Sequence, residues 1–313
     1  MAKINITRTI YDKVIEAETQ EAKQKILEYY KKESLFRRIV YFIYHPLIDF
    51  GMKDFQGGNG KLDGMGISKF MHIIDDLVNG KLNKEEAEFS SKIALNHINQ
   101  LEAPVLRDVL TKTDNMKLEF DTINNVWPFL IIKYPVNEPA TYYNDIEKDF
   151  YWPAIAQENV SGEHVHILVR GDMCEFKNMK GETIHELDIC ADQFKILAQN
   201  QHTVFDGAWV KIKGEDRFIL WDAIRFDGFA KGIENRMGYN WRYNGLQHMC
   251  MLAKEKTPKP IYDLPKAISV NSLDEARQFG LKVKSDLVVK CMSSEWHSGV
   301  NTKQVFINMD VNT

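Results

Sequence analysis

The apolar residues of this chain change their spacing partway along it, and that change limits the architecture more than any single motif. Up to about residue 115 they recur every three or four positions, the period of an amphipathic helix. Ala22, Ile26, Leu27, Tyr30, Leu35, Ile39 and Phe42 fall on one such stripe, which predicts a helix over residues 19–44. Gly57-Gly58-Asn59-Gly60 reads as a loop, and residues 68–78 as a helix stopped at Asn79-Gly80. Asn83 is placed to cap the next helix, with Glu86 three residues on, and residues 106–110 belong to one more. Beyond Val126 the texture differs. Pro128, Pro135, Pro139 and Pro153 punctuate residues 127–152, which predicts a Pro- and Tyr-rich extended linker. Short runs at 165–169, 203–205, 209–212, 218–221 and 287–290 then alternate or are apolar throughout, as strands of a half-buried antiparallel sheet do. Helical patterns near 242–254 and 273–279 interrupt them. The fold expected is an α-helical N-terminal domain over residues 1–135 and an α+β domain over 136–313.

Composition narrows the class without naming a function. Hydrophobic residues make up 44% and charged ones 27%, enough apolar surface for proper cores, which excludes a disordered or collagen-like chain. Forty basic against 44 acidic side chains leave a net charge of −4, so there is no polybasic tail for nucleic acid or anionic lipid. A local stripe of Lys and Arg can still neutralise phosphates. The cysteines Cys174, Cys190, Cys250 and Cys291 form no C-x-x-C pair and are too scattered for a disulfide scaffold. The N-terminus lacks the apolar stretch of a signal peptide, and residues 39–50 are too short for a bilayer, which takes about 20. A soluble cytoplasmic protein with no membrane partner is expected.

Particular segments carry a resemblance. Asn124-Asn125-Val126-Trp127-Pro128-Phe129-Leu130-Ile131, then Tyr142-Tyr143, then Trp152-Pro153-Ala154-Ile155-Ala156-Gln157 resemble the entry to the nucleotidyltransferase domain of T-even phage-type ATP-dependent DNA ligases. Phe205-Asp206-Gly207 is similar to that family's third motif, Asp-Gly-Glu after a strand. Phe218-Ile219-Leu220-Trp221-Asp222 resembles the next, and Ser272-Leu273-Asp274-Glu275-Ala276 with Leu287-Val288-Val289-Lys290 the helix and strand of the fourth. The resemblance covers nearly the whole chain. It implies an adenylyltransferase-like α+β domain of two packed antiparallel sheets, preceded by a helical domain that touches duplex DNA.

The same alignment implies lost chemistry. Ligation needs a lysine amine that attacks the α-phosphate of ATP, placed by the family in Lys-x-Asp-Gly-x-Arg. Here that segment reads Asn159-Val160-Ser161-Gly162-Glu163-His164, and only the turn-forming Gly162 is kept. The Glu of the third motif is Ala208, the Glu-Gly before the fourth strand is Ser285-Asp286, and two lysines of the last motif fall at Ile307 and Met309. Lys290 remains. The family also adds a third, OB-type domain, and the resemblance implies a member lacking it. A literal Lys61-Leu62-Asp63-Gly64 lies in the helical half, with Met65-Gly66 where an Arg is wanted, and reads as a coincidence.

Other constellations have ordinary readings beside the functional ones. His164 and His166, two apart on a predicted strand, share a face and could join Cys174, His185 or Cys190 around Zn²⁺, but no pair has finger-like spacing and no metal is expected. Asp206 and Asp222 could hold a divalent ion or a polar ligand, or cap a turn through their own side chains; for Asp222 the structural role is the stronger reading. Phe218 or Trp221 could stack on a purine or pack in a core, and Lys290 could meet phosphate or sit at a strand end. Glu158, Glu163 and Asp172 near Asn159 would repel a triphosphate. Lys31, Lys32, Arg37 and Arg38, with Tyr29, Tyr30 and Phe36 among them, form the densest basic cluster, suited to phosphate contact or to a solvated helix face.

The leading expectation is a pseudo-ligase without catalytic residue or cofactor, in which Asn159, Gly162, His164, Asp206, Phe218, Trp221 and Lys290 form a degenerate nucleotide pocket. Lys31, Lys32, Arg37 and Arg38 would contact double-stranded DNA at nicks or ends, with a phage or host protein as the other partner class and the host cytoplasm as its place. Two alternatives stay open. One is an active ATP- and Mg²⁺-dependent DNA ligase or nucleotidyltransferase with an atypical nucleophile. The other is a protein that binds a nucleotide or signalling molecule.

Overall fold

The computed structural model describes residues 6–309 apart from 49, 51, 53–54, 80, 83, 143–149, 235 and 258. The proposed cap Asn83 and Tyr143 of the resemblance therefore lie outside the described residues. The chain divides into two compact units, Met1–Lys133 and Tyr134–Thr313.

The first unit is helical: α1 (Ile6–Glu16), α2 (Gln20–Tyr29), α3 (Ser34–Tyr44), α4 (Met71–Val78), α5 (Lys84–His97), α6 (Ala103–Thr111) and α7 (Phe120–Val126). Ile10, Val14, Leu27, Phe36, Ile39, Ile74, Leu95, Val109 and Ile123 meet in one core. The single helix expected over residues 19–44 is two. Lys31, Lys32 and Glu33 bring nothing to bury, the chain turns through Glu33 N to Tyr30 O at 2.9 Å, and the indole of Trp127 donates to the freed carbonyl of Lys31 at 3.0 Å. Thr19 caps α2 by accepting from the amide of Ala22.

Lys61-Leu62-Asp63-Gly64 has a local structural role. The backbone of Lys61 pairs with Ile98 and Gln100, and a Cβ on Gly64 would stand 2.2 Å from the Ile98 carbonyl oxygen. The motif is a tight turn pressed against the end of α5, and its glycine is there for close backbone approach.

The second unit carries two five-stranded sheets. The first has the order β1 (Asn137–Thr141), β12 (Gly299–Ile307), β10 (Leu287–Cys291), β2 (Ala154–Glu158), β9 (Ala267–Val270). The second runs β4 (Met173–Lys177), β3 (Glu163–Arg170), β5 (Thr203–Ile212), β6 (Glu215–Arg225), β8 (Tyr262–Asp263). A short ribbon pairs β7 (Ile233–Glu234) with β11 (Trp296–His297). Both large sheets are antiparallel except at β1/β12 and β6/β8.

Helices cover one face of each sheet. Leu287, Val289, Val305 and Ile307 pack with Leu273, Ala276 and Phe279 of α11 (Leu273–Val283). Val165, Ile167, Phe205, Phe218 and Leu220 pack with Phe194 and Leu197 of α8 (Ala191–Ala198) and Leu246 of α10 (Tyr239–Ala253). A short α9 (Phe226–Ala230) follows β6. The alternation of strand side chains then turns Gln157, Val288 and Lys290 of one sheet, and His164 and His166 of the other, away from those cores.

Two differences from the sequence reading have local causes. Part of the expected linker is strand β1, whose Pro139 is tolerated because the strand lies at a sheet edge and its register with β12 shifts at Pro139/Ala140. The runs at 203–205 and 209–212 are one strand, β5, whose register with β6 shifts between Asp206 and Gly207 because β6 carries an extra residue there, Trp221. Among the described residues no helix is long and apolar enough to cross a membrane.

The two kinds of glycine in this fold should respond oppositely to one methyl group. Gly64→Ala is expected to destabilise the chain by more than about 1 kcal/mol, because the backbone it meets cannot retreat. Gly245→Ala, inside α10 with nothing within 4 Å of the added carbon, should stabilise it by about 0.4–1 kcal/mol. Chemical unfolding of both variants checks the pair.

Candidate functional site

A cleft of about 220 Å³ opens where the two sheets face each other. The turn after β2 brings Asn159 to it, with the Asn159 amide donating to the Asp286 carbonyl at 2.7 Å and its own carbonyl accepting from Ser285 Oγ at 3.1 Å. Gly162 lies where a Cβ would meet Val210 Cγ1 at 2.5 Å and the Trp209 carbonyl oxygen at 2.7 Å, so the turn closes only with glycine there.

On the second sheet, the register pairs His166 with Asp206 and His164 with Ala208. The Asp206 carboxylate, turned away from the core that Phe205 enters, has its Oδ1 2.5 Å from His164 Nε2 and 3.6 Å from His166 Nε2. His166 is fully buried, packs against Phe229, and has Nδ1 3.0 Å from the Tyr134 hydroxyl. Burial pulls the His166 imidazole down to about 4, so it is neutral at physiological pH. Burial alone would push Asp206 up, but the neighbouring histidines, the His164 hydrogen bond and Lys290 outweigh it and hold the carboxyl at about 2.

Asp222 is held by a buried bidentate pair. Arg242 Nε and Nη2 of α10 donate to its two oxygens at 2.9 and 3.0 Å, and Nη1 reaches the carbonyls of Met237 and Ser294 at 2.7 and 3.0 Å. Tyr239, one turn earlier, donates to the Trp221 carbonyl at 2.7 Å, and the Lys290 ammonium sits 4.5 Å above the centre of its ring. Burial draws Lys290 down to about 8 against the opposing pull of Asp222 and Asp206.

Asn159, Gly162, His164, Asp206, Trp221 and Lys290 therefore line one cleft, with Gln157, Glu158, Asp222 and Gln304 beside them. Phe218 does not. It is fully buried on the core face, edge-on to Phe194 at 5.0 Å, because it shares its side of β6 with Leu220. Ile307 and Met309 also face a core, packing with α11. The residue of β12 opposite Lys290 is Gln304, so the positions that could present a cation from that strand are Gln304 and, two residues on, Phe306.

Of the acidic residues near Asn159, Glu158 lines the cleft 3.5 Å from the Lys266 ammonium, while Glu163 and Asp172 are exposed. The expected companions of the two histidines are elsewhere. Cys174 and Cys190 belong to the core on the other face, and His185 is exposed beside Asp188. Asp206 is the group that joins them, with the three ligand atoms within 4.8 Å of one another. Gln304 of the lining, and Arg242, Tyr239 and Tyr134, which hold lining residues from behind, carry no signal in the sequence, because only strand register and helix packing bring them there.

In the helical unit, the basic cluster is divided. Lys31 and Lys32 are exposed in the turn between α2 and α3, and Arg37 is exposed on α3. Arg38 is committed to an ion pair with Asp75 at 2.6 Å.

The placement of Lys290 has a pH consequence. Its folded-state affinity for a proton is below the unfolded one, so between about pH 8 and the ordinary lysine range near 10 the unfolded chain alone holds that proton. Wild-type stability gains up to about 1.4 kcal/mol per pH unit there from this group. The advantage of Lys290→Met over wild type should thus be largest below pH 8 and shrink toward pH 10. A gap that stays flat in unfolding measurements contradicts the buried placement.

No family profile matches the chain, and no curated protein matches it. Among solved structures, the chain is similar to the protein Pmar-Lig_PreS3 at 14% identity, covering 96% of this chain and 78% of that one with a TM-score of 0.49. It is similar to the ATP-dependent DNA ligase from bacteriophage T7 in complex with ATP at 12% identity, covering 57% and 69% with a TM-score of 0.48. It is also similar to Chlorella virus DNA ligase-adenylate at 12% identity, covering 56% and 69% with a TM-score of 0.42.

Proposed function

We propose that this chain is a pseudo-ligase: a relative of phage-type ATP-dependent DNA ligases that does not transfer nucleotides and is kept for binding DNA or a protein partner. The observation that carries the reading is Asn159 at the mouth of the cleft. Nucleotidyl transfer needs an amine lone pair that attacks the α-phosphorus while pyrophosphate leaves. The nitrogen lone pair of an asparagine amide is delocalised into its carbonyl and does not serve. The residues around it do not fit a covalently held nucleotide either. Ala208 stands where the family has a carboxylate, Phe218 is withdrawn into the core, and Gln304 faces the cleft where a phosphate-binding site would want a cation.

A second reading has one observation in its favour. Lys290 is the lysine that lines the cleft among the described residues, and burial brings its ammonium to about 8, closer to the neutral amine than an ordinary lysine. In that reading Lys290 Nζ attacks the α-phosphorus of ATP, loses its proton and releases pyrophosphate.

Incubation with α-labelled ATP and Mg²⁺, followed by a denaturing gel, separates the two. The pseudo-ligase reading expects no label on the chain; acid-labile label that maps to Lys290 overturns it in favour of the second.

DNA binding is read in the same framework through the helical unit. Replacing Lys31, Lys32 and Arg37 together by Ala should lower the salt dependence of nicked-duplex binding, by about 0.9 in log–log slope for each phosphate these side chains neutralise. Arg38→Ala should leave the slope as it is, because its guanidinium is already paired with Asp75. An unchanged slope in the triple variant removes this turn and helix from the DNA face.

A further inference from the structure

We propose that His164, His166 and Asp206 bind one transition-metal ion of the zinc class at the inner end of the cleft. Strand geometry makes the set. His164 and His166 stand two apart on β3 and so share a face, and Asp206 of β5 lies directly opposite His166. Their ligand atoms lie within 4.8 Å of one another, close enough to converge on a single ion.

A separate observation points to a ligand there. His166 is fully buried, and its Nε2 has no hydrogen-bond partner; the Asp206 oxygen it faces is 3.6 Å away. A buried polar atom of this kind is costly to leave unpaired. The opposite ring nitrogen is already committed, with Nδ1 3.0 Å from the Tyr134 hydroxyl. With the proton on Nδ1 and donated to Tyr134, Nε2 presents its lone pair to the cleft, the arrangement by which an outer partner orients a metal-bound imidazole.

The donor set selects the ion. Two imidazole nitrogens and one carboxylate suit Zn²⁺ and its neighbours, while calcium and magnesium want more oxygens and copper(I) wants sulfur. Three protein ligands leave a position open, and it faces the cleft because His164 and Asp206 both line it. The buried charges around it cancel, with Asp206 and Asp222 against Lys290 and Arg242. A divalent ion therefore makes the inner cleft positive and suits the open position to an anionic oxygen.

This inference rests on three side chains and not on the ligase-like reading, so either can fail alone. The test is titration of the metal-stripped full chain with Co²⁺, followed by visible absorbance and displacement by Zn²⁺. One ion per chain is expected. Asp206→Asn and His164→Gln should each weaken binding by at least the roughly 10-fold that outer-shell changes cause, and Tyr134→Phe should weaken it by about 10–100-fold as a positioning residue. His185→Gln, exposed and outside the set, should bind as wild type does. His164 carries the test if the buried variants do not fold, since its side chain is 28% exposed at the cleft. Absence of stoichiometric binding, or a His164→Gln chain that binds Co²⁺ with unchanged affinity and spectrum, overturns the proposal.

Discussion

The bidentate pair between Asp222 and Arg242 is the constraint on which the cleft depends. Both side chains are almost wholly withdrawn from water, and a lone buried carboxylate or guanidinium would cost several kcal/mol. Their geometry offsets that cost, and the remaining guanidinium nitrogen is used on the carbonyls of Met237 and Ser294. One side chain thus ties β6, the start of α10 and the loop after β10 together. With α10 fixed, Tyr239 supplies the ring under Lys290 and holds the Trp221 carbonyl. Depth and lining of the cleft follow from that anchorage.

The charges that result are satisfied by one another. Asp206 is held by His164, Asp222 by Arg242, and Lys290 lies between those carboxylates and an aromatic face. A site made for a polyphosphate works the other way, with cations left facing the ligand. Here the strand opposite Lys290 offers Gln304, and the apolar Ile307 stabilises the core under α11. Asn159 thus stands in a cleft whose other charges are paired internally, and His166 Nε2 is a polar atom that this internal pairing leaves without a hydrogen bond.

Much of this is legible from residues alone, and the rest is hidden for identifiable reasons. Helical spacing marks the first unit, and alternation marks the strands that carry His164, His166, Asp206 and Lys290, because a buried face imposes its period on the sequence. The break after Tyr29 escapes that spacing since it depends on Trp127, a residue distant in sequence. Strand β1 reads as linker because its proline signals an edge, and an edge strand is defined by its pairing. Motif position puts Phe218 at the pocket, whereas strand phase decides which way it points and turns it into the core. Arg242 carries no motif and is found only when α10 is packed on β6.

On the proposed pseudo-ligase reading, the cleft departs from nucleotidyl transfer at several contacts and not at a single position. The most direct measurement is the intact mass of the Asn159→Lys chain after incubation with ATP and Mg²⁺. Placing an amine at position 159 alone leaves Ser161, His164, Ala208 and Gln304 as they are, so an unmodified mass is expected. A gain of one AMP per chain, mapped to position 159, would contradict it.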